Sequence, residues 1–82
     1  MSGDELRLRI ALKLSAGELP RQAPRQRWGG LCHVAHNCQL CDETIQSGTP
    51  EIETEDADGI YRVFHAACNA LLEQIRAVPA AG

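Results

Sequence analysis

Cysteine and histidine side chains form two close-set pairs in this chain. Cys38 and Cys41 make a CxxC motif, and after 23 intervening residues His65 and Cys68 make an HxxC motif. Thiolates and imidazoles are preferred ligands of Zn²⁺, and four of them complete a tetrahedral shell. The spacing therefore predicts one structural zinc ion bound by Cys38, Cys41, His65 and Cys68. Ca²⁺ and Mg²⁺ are disfavoured because they prefer oxygen ligands.

Two other uses of these side chains compete with metal binding. The cysteines could be ordinary buried thiols with His65 as a core histidine, but two matched pairs favour a metal over that interpretation. They could also form disulfides. The sequence has neither an N-terminal apolar stretch of signal-peptide length nor a run long enough to span a bilayer. We therefore expect a cytoplasmic protein, in whose compartment thiols stay reduced.

Three more potential donors, Cys32, His33 and His36, lie just before the CxxC motif. They lack a fourth ligand, so we expect a surface loop with one free thiol rather than a second metal site. A redox role is an alternative, in which Cys32 forms a disulfide with Cys38 or Cys41 and expels the zinc ion.

Hydrophobic periodicity predicts the elements that position the four ligands. Residues 51–55 alternate as a half-exposed strand does, residues 56–59 end in a glycine suited to a hairpin turn, and residues 60–64 form the second strand. A helix from residue 65 or 66 to 78 then places Cys68 in its first turn. The apolar side chains on the same helix face are those of Leu71, Leu72 and Ile75.

The N-terminal part has a different character. A capping box at residues 2–5 and apolar side chains at helical spacing predict an amphipathic helix over about residues 4–16. Its apolar face is expected to comprise Leu6, Ile10 and Leu14, widened by Leu8 and Leu12. Prolines and glycines in residues 18–30 predict an irregular linker. Within it, the large ring of Trp28 is expected to dock onto the domain.

These elements predict a single small α+β domain, divided into an arm of residues 1–30 and a zinc-binding domain of residues 31–82. In a chain of 82 residues the hydrophobic core alone gives only marginal stability, so we expect a bound metal ion to stabilise the fold. The order of CxxC turn, hairpin and ligand-bearing helix, over residues 37–75, resembles a treble-clef zinc finger and one zinc-binding half of a LIM domain. The chain also resembles a group of small bacterial proteins with a helical arm, a Trp-Gly-Gly segment, a CxxC motif and a terminal HxxC helix. The first resemblance implies a structural role for the zinc, and the second implies no activity.

Charge and motifs narrow the expected function. Residues 1–27 carry six basic and three acidic side chains, a net +3, whereas residues 28–82 carry two basic and eight acidic ones, a net -6. The opposite signs would let the arm dock on its own domain. An HNH-type nuclease would need a further histidine besides His65, which the zinc already uses, so we expect no enzyme.

The leading hypothesis is a zinc-stabilised module that binds another protein, through the N-terminal helix, the acidic hairpin or both. Nucleic-acid binding or transcriptional regulation through the basic arm is the second hypothesis, and a redox or zinc sensor is the third. No membrane association is expected. The sequence leaves open the choice between monomer and homodimer.

Overall fold

A computed structural model of the protein describes residues 2–77. Within that range the α+β fold has two helices and two small antiparallel sheets. None of these helices has the length and apolar character needed to cross a bilayer. The elements follow one another as α1 Gly3–Ser15, β1 Gln26–Leu31, β2 His36–Asn37, β3 Thr44–Ile45, β4 Pro50–Glu55, β5 Tyr61–His65 and α2 Ala66–Ala77.

The predicted hairpin is confirmed as the pair β4 and β5, which form a three-stranded sheet in the order β1-β4-β5. Its turn depends on Gly59, whose φ of 80° is a conformation that residues with a Cβ rarely adopt. Asp56 fixes the same turn, because its Oδ1 accepts hydrogen bonds from the backbone N–H groups of Asp58 and Ile60, both at 3.0 Å. Its Oδ2 accepts a third from Arg62 at 2.6 Å.

The prediction of an irregular linker over residues 18–30 is wrong for its second half, where β1 forms. β1 pairs antiparallel with β4, with Gly29 opposite Ile52. A Cβ placed on Gly29 would lie 3.4 Å from the Ile52 Cδ1 atom, an ordinary van der Waals contact, so the pairing of the two strands does not itself require glycine there. This strand also crosses the boundary predicted between residues 30 and 31. A long-range partner has overridden the local preference of a glycine pair against strand.

The earlier half of that segment is held against the second helix. Leu19 is buried, and the Arg76 guanidinium of α2 donates two hydrogen bonds to the Pro20 carbonyl, at 2.9 and 3.1 Å. Trp28 in β1 stacks on Tyr61 with 6.2 Å between ring centroids, as expected for a docked ring. It nevertheless remains 43% exposed, so it covers the sheet rather than entering the core.

Helix α2 packs one face into the core, as its sequence predicts. Cys68 and Leu72 are buried, and Leu71 and Ile75 pack beside them. Residue 78, the last of the predicted helix, lies outside the described residues. The largest fully buried side chains of the described residues are those of Phe64, Ile10, Leu40, Ile45, Leu72 and Cys38.

Helix α1 packs into the same hydrophobic core as α2. Its N-cap is the predicted Ser2, whose hydroxyl accepts a hydrogen bond from the Glu5 backbone N–H at 3.2 Å. Ile10 and Leu14 are buried in the core cluster. Leu8 and Leu12, which were expected to widen the apolar face, instead point to solvent, because they lie on the side of the helix away from the domain.

Candidate metal centre

All four side chains predicted to bind metal converge in the folded chain. One donor atom from each of Cys38, Cys41, His65 and Cys68 lies within 4.8 Å of the other three. The His65 Nδ1 atom is 3.4 Å from the Cys41 sulfur and 3.8 Å from the Cys68 sulfur. Tetrahedral geometry with Zn–S near 2.3 Å and Zn–N near 2.0 Å requires S···N separations of about 3.5 Å. The group can therefore hold one metal ion.

Three different elements deliver these donors. Cys38 and Cys41 come from the turn between β2 and β3, His65 ends β5, and Cys68 lies in the first turn of α2. An ion bound by all four would therefore cross-link the turn, the hairpin and the helix.

The orientation of the His65 ring is fixed by its other nitrogen. Nε2 lies 3.2 Å from the Thr44 carbonyl oxygen, which can only accept, so Nε2 carries the proton. In the neutral tautomer with the proton on Nε2, Nδ1 is the acceptor and faces the sulfurs, as a metal-bound histidine requires. The strand β3 thus contributes to the centre although neither of its residues is a ligand.

The pKa values of the three thiols in this group depend on one another. A hydrogen bond from the Cys68 thiol lowers the pKa of Cys38 well below its usual value, and backbone N–H groups, including that of His65 at 3.3 Å, act in the same direction. The hydrogen bond to Cys38 raises the pKa of Cys68. Burial raises the pKa of Cys41. One negative charge is therefore favoured on the group of three thiols, and the raised pKa values of Cys41 and Cys68 oppose further loss of protons.

Backbone hydrogen bonds close the CxxC turn. The Cys38 N–H donates to the Glu43 carbonyl at 2.8 Å, and the Asp42 N–H donates to the Cys38 carbonyl at 2.9 Å. Asp42 has a φ of 66°, in the left-handed region that aspartate tolerates better than most residues. This conformation reverses the chain directly after Cys41.

Two cations of α1 hold the outside of this turn. Arg9 donates to the Cys41 carbonyl at 2.9 Å and to the Asp42 carboxylate at 3.0 Å. Lys13 donates to the Gln39 carbonyl at 3.0 Å and to the same carboxylate at 2.8 Å. Basic side chains of the N-terminal arm therefore contact an acidic side chain of the domain, and this contact lies beside the candidate metal centre.

A shallow cleft of about 390 Å³ opens beside the four donors. Its lining includes Cys41, His65 and Cys68, together with Leu6 from α1. Because three of the four predicted ligands border it, the cleft gives a metal ion or a chelator a route from solvent to the donors.

The expectation of a surface loop with one free thiol is confirmed only in part: residues 33–35 are exposed and Cys32 forms no disulfide, but the thiol itself does not lie at the surface. The Cys32 side chain is buried, and its thiol donates to the Val34 carbonyl at 3.2 Å. It lies close to His36 and Glu51, with one donor atom of each within 4.8 Å of the others. His33 is exposed and is not part of this group. Sequence reasoning missed Glu51, because only the pairing of distant strands brings it to the two residues before the CxxC motif.

Comparison of the chain with known protein families, with curated proteins and with solved structures finds no match.

Proposed function

We propose that this chain is a non-enzymatic, cytoplasmic module that one structural zinc ion holds together and that binds another protein. The observation that carries the first part is the convergence of three sulfurs and one imidazole nitrogen from three separate elements. Such a set fills the four positions of Zn²⁺, and a filled shell serves structure rather than catalysis. The order of CxxC turn, hairpin and ligand-bearing helix supports a treble-clef-like arrangement.

Zinc would supply a cross-link that the small core does not supply by itself. Two of the three ring-bearing apolar side chains, Trp28 and Tyr61, remain largely exposed, so Phe64 is the aromatic residue of the core. A chain of this size with so few large buried side chains gains its stability from a staple. All four cysteines are unpaired, so a metal takes the place that disulfides would have in an oxidising compartment.

The protein-binding part of the proposal rests on apolar side chains that the fold leaves uncovered. Leu8 and Leu12 lie one helical turn apart on the outer side of α1, with 62% and 61% of their surfaces exposed. Trp28 and Tyr61 form a stacked pair on the outer face of the sheet. Aromatic and aliphatic anchors of this kind carry most of the energy in protein interfaces.

The basic arm gives less support to nucleic-acid binding. Four of its six cations have acidic partners in the same chain: Arg9 and Lys13 share Asp42, Arg25 pairs with Glu55, and Arg27 pairs with Glu73. Neutralised cations contribute little to phosphate binding, which depends on the release of counterions. A redox role for Cys32 is also disfavoured, because a thiol sensor needs an exposed thiolate, whereas this thiol is buried and desolvation raises its pKa.

An affinity-purification experiment with matched variants tests the protein-binding role. Zinc-loaded protein is used as bait beside Leu8→Glu/Leu12→Glu, which alters the exposed side of α1, and Arg7→Glu, which changes charge on the same helix. We expect one protein to be retained by the wild type and by Arg7→Glu and lost with the double variant. The pair should then re-form from purified components.

Two results would count against this role. One is the same recovery of bound protein by the double variant, with its circular dichroism spectrum unchanged. The other is hydrolytic activity of the zinc-loaded chain that disappears with Cys68→Ser, since a structural zinc ion has no position for a substrate.

A further inference from the structure

We propose a second metal site in this chain, formed by Cys32, His36 and Glu51, which takes a divalent cation of the zinc and cobalt type in an open, three-ligand geometry. The donor atoms of these residues lie within 4.8 Å of one another. The His36 Nε2 atom is 2.9 Å from the Glu51 Oε1 atom. The site is independent of any protein partner.

Backbone hydrogen bonds and strand pairing position these three donors. Cys32 follows β1 directly, and two hydrogen bonds fix it: its N–H donates to the Thr49 carbonyl at 2.9 Å and its carbonyl accepts from the Gly48 N–H at 2.7 Å. His36 lies in β2, opposite Ile45. Glu51 lies in the central strand β4. Ligands held on paired strands need little reorganisation to bind an ion.

The chemistry of the three donors selects the kind of ion. One sulfur, one imidazole nitrogen and one carboxylate oxygen suit Zn²⁺ or Co²⁺, whereas Ca²⁺ and Mg²⁺ prefer oxygen alone. With Cys32 as thiolate and Glu51 ionised, the ligands carry two negative charges, which neutralise a divalent cation. The thiol proton leaves to solvent when the ion binds.

Exposure differs across the site in the way an open centre requires. Cys32 is 2% exposed, the Glu51 side chain 17%, and the His36 side chain 44%. The ion would therefore rest on buried sulfur and face solvent beside His36, where water completes its coordination. Three protein ligands plus water is the arrangement of open rather than closed zinc sites.

The second site adjoins the first through two strands. His36 stands two residues before Cys38, and Glu51 is the antiparallel partner of His65. A metal in the four-ligand centre orders both strands, so it also fixes two of the three donors of the second site. We expect the four-ligand centre to fill first, and the second ion to bind more weakly because it has one protein ligand fewer.

A cobalt titration of zinc-loaded protein tests the site. Zinc content is measured first, and one zinc ion per chain identifies the filled four-ligand centre. Added Co²⁺ does not displace this zinc ion, since Zn²⁺ binds such ligands more tightly. Added Co²⁺ should then bind with a stoichiometry of one and give a sulfur-to-cobalt charge-transfer band. The band should have about one third of the intensity that a fully cobalt-substituted four-ligand centre gives, because one thiolate replaces three.

Matched variants assign the donors. Cys32→Ser should abolish the band, and Glu51→Gln should weaken cobalt binding by at least about 10-fold, since even indirect partners of a metal contribute that much. His33→Gln and Glu53→Gln replace neighbours outside the group and should bind as the wild type does. Glutamine has the same shape as glutamate but no charge, so Glu51→Gln removes only the charged ligand. It therefore still tests the site if Cys32→Ser destabilises the fold and the four-ligand centre loses its zinc.

The proposal is overturned by either of two results. One is wild-type protein with one zinc ion that binds no Co²⁺ up to millimolar concentration. The other is cobalt binding that Glu51→Gln and His36→Gln leave unchanged. A chain that carries no zinc before cobalt is added instead contradicts the proposed structural centre, so the two failures are distinguishable.

Discussion

Replacement of Ile10 by alanine tests whether α1 is part of the hydrophobic core that the metal ion is proposed to stabilise. The Ile10 side chain is fully buried, at 0% exposure. The change removes three buried carbon groups at about 0.8 kcal/mol each, or about 2.4 kcal/mol of unfolding free energy before any cavity penalty. Large-to-small core changes of this kind cost about 2–5 kcal/mol in all. Leu8→Ala is the matched control, because Leu8 lies on the same helix with 62% exposure, and it should cost less than about 0.5 kcal/mol.

Urea unfolding at a fixed excess of zinc measures both variants. With an m-value of about 1 kcal/mol/M, typical of a small chain, Ile10→Ala should lower the unfolding midpoint by about 2 M and Leu8→Ala should leave it nearly unchanged. Because the metal-free chain is expected to be largely unfolded, the same loss should appear in chelator competition as an apparent zinc affinity about 50-fold weaker. Equal midpoints for the two variants would refute the packing of α1 on the metal domain.

Three further predictions concern the turn residues and the thiols. Asp56→Ala should lower the thermal midpoint because three donors lose their acceptor, while Asp58→Ala in the same turn should not; equal shifts measured by circular dichroism would contradict this. The pKa values of Cys41 and Cys68 are raised, so zinc binding should release about two protons from these thiols. The zinc affinity measured in a competition assay should then fall about 100-fold from pH 7 to pH 6. A zinc affinity that does not change with pH would be inconsistent with these pKa shifts. Asp42→Asn should lower the free energy of unfolding in urea less than Asp42→Ala does, because asparagine tolerates the positive φ at this position. Both variants lose the exposed ion pairs, which contribute only about 0–1 kcal/mol. A larger loss for Asp42→Asn would exclude backbone strain as the main cost.

Local patterns predicted the part of the structure that depends on short spacing. The four ligands of the candidate centre, the turn ending in Gly59 and the ligand-bearing face of α2 all lie within motifs of a few residues, whose geometry is set by helical or strand periodicity. Their convergence in space followed from the chemistry of a tetrahedral ion.

Long-range pairing explains what the sequence did not predict. β1 contains adjacent glycines that disfavour a strand locally, and it forms because β4, about 20 residues further on, supplies the hydrogen bonds. The two-residue strands β2 and β3 are too short for any periodic signal. The group of Cys32, His36 and Glu51 depends on both pairings at once, so its third member could not be found from spacing.

The side of α1 that packs inward was also ambiguous in the sequence. Leu6, Ile10 and Leu14 form one apolar stripe along the helix, and Leu8 and Leu12 form a second stripe on the opposite side. Burial of Ile10 and Leu14 in the core fixes the rotation of the helix, and in this rotation Arg9 and Lys13 reach the CxxC turn. Leu8 and Leu12 are then turned to solvent.

Metal content followed by chelation tests the central claim most directly. Purified protein is analysed by native mass spectrometry, dialysed against EDTA and examined by circular dichroism, with Cys68→Ser treated in parallel. We expect at least one zinc ion per wild-type chain, loss of helical signal on chelation and its return with added zinc, and a variant that is metal-poor and largely unfolded from the start. Wild-type protein that carries no stoichiometric metal and keeps its circular dichroism spectrum in EDTA would contradict a fold held by Cys38, Cys41, His65 and Cys68.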